Sequence, residues 1–314
     1  MNFRFLLYFL TLYISIISFL WSENNIFVER YNARAIGMGN IFTSIADDST
    51  AVFYNPACVG QFSEKSFFNC MYADIHNLGI IRNYIFSGST RYNEEIGMGG
   101  AWVYERINLE PEIWGQHRFF YALSYSVLKY VFIGTTVKFF LINTDFKEYK
   151  NIWGAGLNVG LLVSSERWEI PVFEENNIVL KIGLLLKDVY SEIKWSQTYK
   201  EKLPFRFILN IGGNYNKIIN AGIQIKSLKD EITSFSIGSE LFLLKALDYE
   251  LDEKYKIKEI VIRAGIEMEK IISYASYYSG GIGIITQNFS IDYAILYQPN
   301  YFSPTHYISL NIWR

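Results

Sequence analysis

From residue 66 onward the chain alternates apolar and small or polar residues with a period of two, the signature of strands with two unlike faces. Trp153, Ala155, Leu157, Val159 and Leu161 share one face, and Gly154, Gly156, Asn158 and Gly160 share the other. The division recurs with Phe119, Tyr121, Leu123, Tyr125 and Val127 against Phe120, Ala122, Ser124 and Ser126, and with Phe205, Phe207, Leu209 and Ile211 against Arg206, Ile208, Asn210 and Gly212. Near the end, Phe289, Ile291, Tyr293, Ile295 and Tyr297 oppose Ser290, Asp292, Ala294 and Leu296. A soluble sandwich also alternates, but its outer face carries many Lys and Glu. Here the second face is Gly, Ser and Asn, which suits the inside of a barrel whose outside meets lipid.

Such segments fall near residues 66–75, 77–90, 95–107, 116–128, 130–142, 151–164, 177–188, 203–214, 217–228, 231–245, 256–269, 277–286, 288–298 and 305–313. They predict an all-β fold, a transmembrane antiparallel β-barrel of about 14 strands. The stretches Ser164 to Asn177 and Tyr190 to Pro204 read as longer surface loops or local hairpins. No compositional break marks a second folded domain.

The N-terminus changes the compartment. Arg4 precedes an apolar run from Phe5 to Leu20, and Ser22 offers a small residue before Glu23, the pattern of a signal peptide over residues 1–22. An uncleaved anchor is the competing reading, since the run approaches the roughly 18 residues a helix needs to span a bilayer. No later window is long and apolar enough for a transmembrane helix. Aromatic residues make up 18% of the chain and charged residues only 19%, an excess suited to interfacial girdles. A net charge of −2 without clustered Lys and Arg argues against nucleic acid.

Between signal and strands lies Ala33-Arg34-Ala35-Ile36-Gly37-Met38-Gly39, then Ile45-Ala46-Asp47-Asp48-Ser49, then Ala51-Val52-Phe53-Tyr54-Asn55-Pro56-Ala57. Pro56 restricts Asn55 to extended conformations, and the Asn side chain is placed to cap the turn that Pro56 opens. Gly37 and Gly39 allow close backbone approach. The run also resembles the N-terminal signature of the PorV/PorQ branch of FadL-like outer-membrane proteins. Lys202-Leu203-Pro204-Phe205-Arg206, Arg263-Ala264-Gly265, Ser279 to Gly283, Asp292-Tyr293-Ala294 and His306 to Leu310 extend the resemblance over most of the chain. One departure is the C-terminus, where the apolar face Ile308, Leu310, Ile312 omits the final aromatic, Trp313.

The resemblance implies a bacterial outer-membrane barrel over residues 63–314 with residues 23–62 folded into the lumen as a hatch. Arg34, Gly37, Gly39, Asp47, Asp48, Asn55, Pro56 and Ala57 are then its motif residues. Asp47 and Asp48 become candidates to face Arg206 or Arg263, or are simply solvated turn caps. If the strand phases hold, Lys181, Lys187, Arg206, Arg263, Glu267 and Asp292 line the interior, pairing with one another or with the hatch.

Catalytic chemistry finds little support. His76, His117 and His306 are far apart and show no metal-ligand spacing, and no phosphate-cradling glycine loop is present. No enzyme activity and no cofactor are expected. Cys58 and Cys70 either bridge the hatch to the first strand or remain free, half-buried thiols.

Two roles remain, with a purely structural barrel as the third. The first is FadL-like passage of a hydrophobic ligand such as a fatty acid, leaving sideways into the surrounding outer-membrane lipid where glycines at Gly97 to Gly100 or Gly280 to Gly283 permit a kink. The second is a PorV-like accessory role beside a secretion translocon.

Overall fold

A computed structural model describes residues 29–61, 66–109, 111–145, 152–167, 177–196, 198–228, 231–249, 256–270, 274–299 and 303–314. The expected signal peptide and the outer ends of the expected hatch lie outside the described residues.

The strands are β1 (Phe67–Ile75), β2 (Ile81–Arg91), β3 (Ile96–Leu109), β4 (Glu112–Leu128), β5 (Val131–Thr144), β6 (Ile152–Ser164), β7 (Ile178–Lys194), β8 (Lys200–Glu201), β9 (Arg206–Tyr215), β10 (Ile219–Leu228), β11 (Glu231–Phe242), β12 (Ile257–Lys270), β13 (Tyr274–Thr286), β14 (Phe289–Tyr297) and β15 (Thr305–Trp313). Each pairs antiparallel with its neighbours. β1 pairs with β15, and β6 pairs with β7, which in turn pairs with β9. The result is a closed 14-stranded barrel, with β8 as a two-residue extra rung on the end of β7. Closure gives each of the 14 barrel strands a partner on both sides among the described residues, except that β7 beyond Lys187 leaves β9 and meets only β8 on that side.

The even strand number brings both ends of the barrel chain to one mouth, where Ser66 N donates to Arg314 O and Arg314 N donates to Ser66 O, each at 3.1 Å. At this mouth Asn216 and Lys217, both with positive φ, close the tight β9–β10 hairpin through a 2.9 Å bond from Ile218 N to Tyr215 O. We call the opposite opening the far mouth.

Side chains take the faces that their alternation assigns. On β4, Phe119, Tyr121 and Leu123 are 41%, 51% and 42% exposed, whereas Phe120, Ala122 and Ser124 are 6%, 0% and 3% exposed. The exterior is therefore dominated by Phe, Tyr, Ile and Leu, and the interior mixes small, polar and charged residues with packed apolar ones such as Phe120 and Phe140. No helix among the described residues is long and apolar enough to cross a membrane.

Two expectations change. β7 runs six residues past position 188 to Lys194, so its expected end moves, and of the alternatives for the stretch from Tyr190 to Pro204 the local hairpin holds, formed by the end of β7 with β8. The ladders on both sides of Gly97 to Gly100 and of Gly280 to Gly283 run without a register break, so these glycines do not kink the wall. The mid-wall break lies between β6 and β7. There Leu157 pairs with Tyr190 and Val159 with Leu186, leaving Lys187, Asp188 and Val189 opposite the single residue Asn158. Asp188 takes φ 57°, and Lys187 and Asp188 both turn inward.

Candidate functional site

Residues 29–61 fill the lumen. They form α1 (Ala33–Gly37), α2 (Ala51–Tyr54) and a 3-10 turn (Pro56–Gln61). Ala33, Ala35, Met38, Ile41, Phe42, Ala46, Ala51, Val52 and Ala57 are fully buried. Asn32 caps α1, its Oδ1 accepting from Arg34 N at 2.9 Å and from Ser309 Oγ on β15 at 3.2 Å. Asn55 caps the Pro56 turn through Ala57 N at 3.1 Å, and its amide donates to Thr43 O at 2.9 Å and to Leu161 O of the wall at 3.1 Å.

The hatch approaches the wall backbone to backbone because the wall there is glycine. Gly212, Gly222, Gly238, Gly265 and Ser279 are successive cross-strand partners on β9 to β13, all facing inward. A Cβ on Gly238 would overlap Met38 O, and one on Gly265 would overlap Gly39 N. Across the lumen, Gly160, Gly134, Ser124 and Gly97 form a second cross-strand row on β6 to β3. A Cβ on Gly134 would lie 2.5 Å from Ala57 N, and one on Gly97 would overlap Val59 O. Gly39 itself takes φ 64° and donates its N–H to Ser279 Oγ at 3.0 Å.

Ion pairs then fix the plug at defined points. Arg34 donates to Glu240 of β11 at 2.6 Å and to Asp47 on the hatch, and approaches Asp48 to 3.7 Å. Glu240 also takes Arg263 Nε at 2.9 Å, and Arg263 Nη1 lies 2.8 Å from Asp292. Asp47 and Asp48 therefore face Arg34 within the hatch and neither Arg206 nor Arg263, so the first of the two expected arrangements does not hold. Asp47 is exposed, while Asp48 is buried and caps its turn through Thr50 N at 2.9 Å. Arg206 instead binds Glu29 with two 2.8 Å bonds and reaches Asp188 at 3.1 Å. Lys187 meets Glu29 at 2.5 Å, and Lys138 pairs with Asp188. Glu267 takes Lys226 and, at 3.5 Å, Arg30 of the hatch. Lys181 donates to Gln61 at 2.7 Å.

Sequence reasoning missed Glu29, Arg30, Lys138, Asp188 and Glu240. For Glu240 and Lys138 the signal was present, an ionisable residue at an inward position. For Asp188 it was not, because the bulge shifts the phase.

Inside the far mouth a separate apolar cluster joins Phe140, Ile142, Ile152, Ile193 and Leu203, with Trp114 and Trp195 packed on it. Leu203 is held inward by a 3.1 Å bond from Ser191 Oγ to its carbonyl. Strands β5, β6 and β7 carry this cluster directly toward Lys138, Asn158 and Asp188 at the wall break. Asn158 Oδ1 accepts from Asp188 N at 3.0 Å and replaces part of the interrupted ladder.

The thiols of Cys58 and Cys70 are free, so of the two alternatives for this pair the unbridged one holds. Of the histidines, His76 Nδ1 lies 3.3 Å from Ser303 O, His117 Nδ1 accepts from Trp102 Nε1 at 3.2 Å, and His306 Nδ1 lies 2.5 Å from the Tyr293 hydroxyl. No group of three or more His, Cys, Asp or Glu among the described residues is arranged to hold a metal.

No protein-family model matches the sequence, and no curated protein matches it. Solved structures do. The CymD monoaromatic hydrocarbon channel superposes with a TM-score of 0.62 at 12% identity, over 91% of this chain and 98% of its own. The toluene transporter TbuX of Ralstonia pickettii gives 0.58 at 12% identity over 92% and 98%, and a FadL homologue of Pseudomonas aeruginosa gives 0.59 at 10% over 90% and 98%. At these identities the likeness is one of fold. In fold the chain is similar to FadL-type barrels, and the narrower PorV/PorQ resemblance rests on sequence motifs alone.

Proposed function

We propose that this protein is a non-enzymatic barrel of the bacterial outer membrane that passes hydrophobic small molecules through its wall. The observation that carries the reading is the apolar cluster inside the far mouth, whose strands β5 to β7 also carry the break in the β6–β7 ladder. An apolar molecule entering over Trp114, Trp195 and Phe140 would meet the Asp188 bulge, where missing ladder bonds weaken the wall locally. Residues 29–61 of the hatch pack against the inner wall, which favours a sideways path over one along the barrel axis. Arg206 binds both Glu29 of the hatch and Asp188 of the bulge, which ties the position of the plug to the state of the wall. Structures with this fold include a monoaromatic hydrocarbon channel and a toluene transporter, which supports the class of cargo.

A second reading is a PorV-like accessory role in protein secretion. It is favoured by the hatch motif and by the density of the plug, since a docked barrel needs no path at all. Native mass spectrometry of protein extracted gently from outer membranes separates the two. A retained apolar ligand without protein partners supports passage. A stoichiometric channel or surface protein supports secretion, and neither one points to a structural barrel.

A further inference from the structure

The outer wall over β15, β1, β2 and β3 carries a feature that passage of cargo does not use. His306, Asp74, Arg82 and Arg106 are successive cross-strand partners, and alternation turns all of them outward. Arg82 and Arg106 face each other directly, an arrangement of like charges that is unfavourable unless an anion is shared between them. Asp74 relieves it only in part, with its carboxylate 3.9 Å from Arg82 Nε, and Arg106 bonds to the neutral amide of Asn108 at 3.0 Å.

The next outward row is aromatic. Tyr72, Tyr84, Tyr104 and His117 are partners across four strands, with Tyr84 and Tyr104 rings 6.0 Å apart and Tyr104 and His117 rings 4.6 Å apart. Rings of this kind sit at the headgroup level of a membrane. That places Arg82 and Arg106, one row beyond them, at the level of lipid phosphates. Below the rings the wall is notched. Cys70, Gly88 and Gly100 leave a groove of about 550 Å³ between Phe68, Phe86, Trp102 and Ile312.

We propose that this face holds one anionic phospholipid, with its phosphate bridged by Arg82 and Arg106 and one acyl chain lying in the notch over Gly88 and Gly100. Guanidinium groups match phosphate oxygens with paired charge-assisted bonds. The pair thereby loses its mutual repulsion, and the notch loses its exposed apolar walls. The proposal rests on the membrane reading above.

The test reconstitutes the full chain in bilayers of phosphatidylglycerol and phosphatidylcholine and identifies retained lipid by native mass spectrometry. Wild-type protein retains phosphatidylglycerol preferentially. Arg82→Gln with Arg106→Gln lowers that preference about tenfold, the loss of one to two charge-assisted bonds. Gly100→Leu gives an independent variant, because a Cβ there meets nothing nearer than Phe120 O at 3.8 Å, so the side chain fills the notch without strain. It too lowers retention. Unchanged retention in both variants overturns the site. Heat-modifiable mobility on gels reports insertion separately, so a protein that fails to enter any bilayer contradicts the membrane reading instead.

Discussion

Gly265 on β12 lies so close to Gly39 of the hatch that a Cβ at 265 would overlap the Gly39 nitrogen. The same close approach at Gly238 makes this part of the plug a backbone-on-backbone contact, held by shape together with the Ser279 bond to Gly39 N–H. Any side chain at either position must move the hatch or the wall.

Gly265→Val therefore releases the hatch. In planar bilayers the variant shows ion conductance that wild-type protein lacks, while its heat-modifiable mobility is retained because the barrel ladders are untouched. Gly280→Val is the matched control, since a Cβ at that outward position meets nothing nearer than Arg263 O at 3.9 Å. It leaves conductance at the wild-type level.

The fully buried Glu240 accepts from both Arg34 and Arg263. Glu240→Gln removes the carboxylate shared by two enclosed guanidinium groups, which keep Asp47 and Asp292 as countercharges, and costs about 1.5–3 kcal/mol, the range for a lost hydrogen bond to a charged group. Thermal unfolding followed by gel mobility shifts downward accordingly. Glu192→Gln, which breaks the exposed pair with Lys200, leaves the transition where it is.

Cys58 is fully buried on the hatch, and its thiol contacts Thr43 O at 3.5 Å. A water-soluble maleimide does not label Cys58 in the native protein. In Gly265→Val it labels Cys58 rapidly, which turns this residue into a reporter of hatch release. Oxidised and reduced wild-type protein migrate identically, because Cys58 and Cys70 are not bridged.

Much of the architecture is legible in the sequence, and the reason is physical. Lipid outside and a tightly filled lumen inside impose opposite demands on alternate residues, so Trp153 to Leu161 and Phe289 to Tyr297 declare both strand and face. What breaks the period is hidden. Lys187 and Asp188 point inward together at the bulge, so neither the wall break nor the length of β7 can be read from alternation. Glycines at alternate positions announce a crowded inner face, yet nothing in their spacing says that Met38 and Gly39 crowd it. The ion pairs are hidden for another reason. Arg34 and Glu240 lie 206 positions apart, and only the closed ring brings them together.

The central claim is sideways passage at the β6–β7 break, and a reversible lock on that seam tests it most directly. Val159 and Leu186 are cross-strand partners on the outer wall beside the bulge. Val159→Cys with Leu186→Cys, in a Cys58→Ala and Cys70→Ala background, lets a disulfide pin the two strands. Uptake of labelled toluene is then followed in cells whose outer membrane carries this barrel as its hydrocarbon channel. The account predicts uptake above the barrel-free level when the disulfide is reduced, and loss of that excess when it is oxidised. Equal uptake in both redox states, or no excess over barrel-free cells, would contradict it.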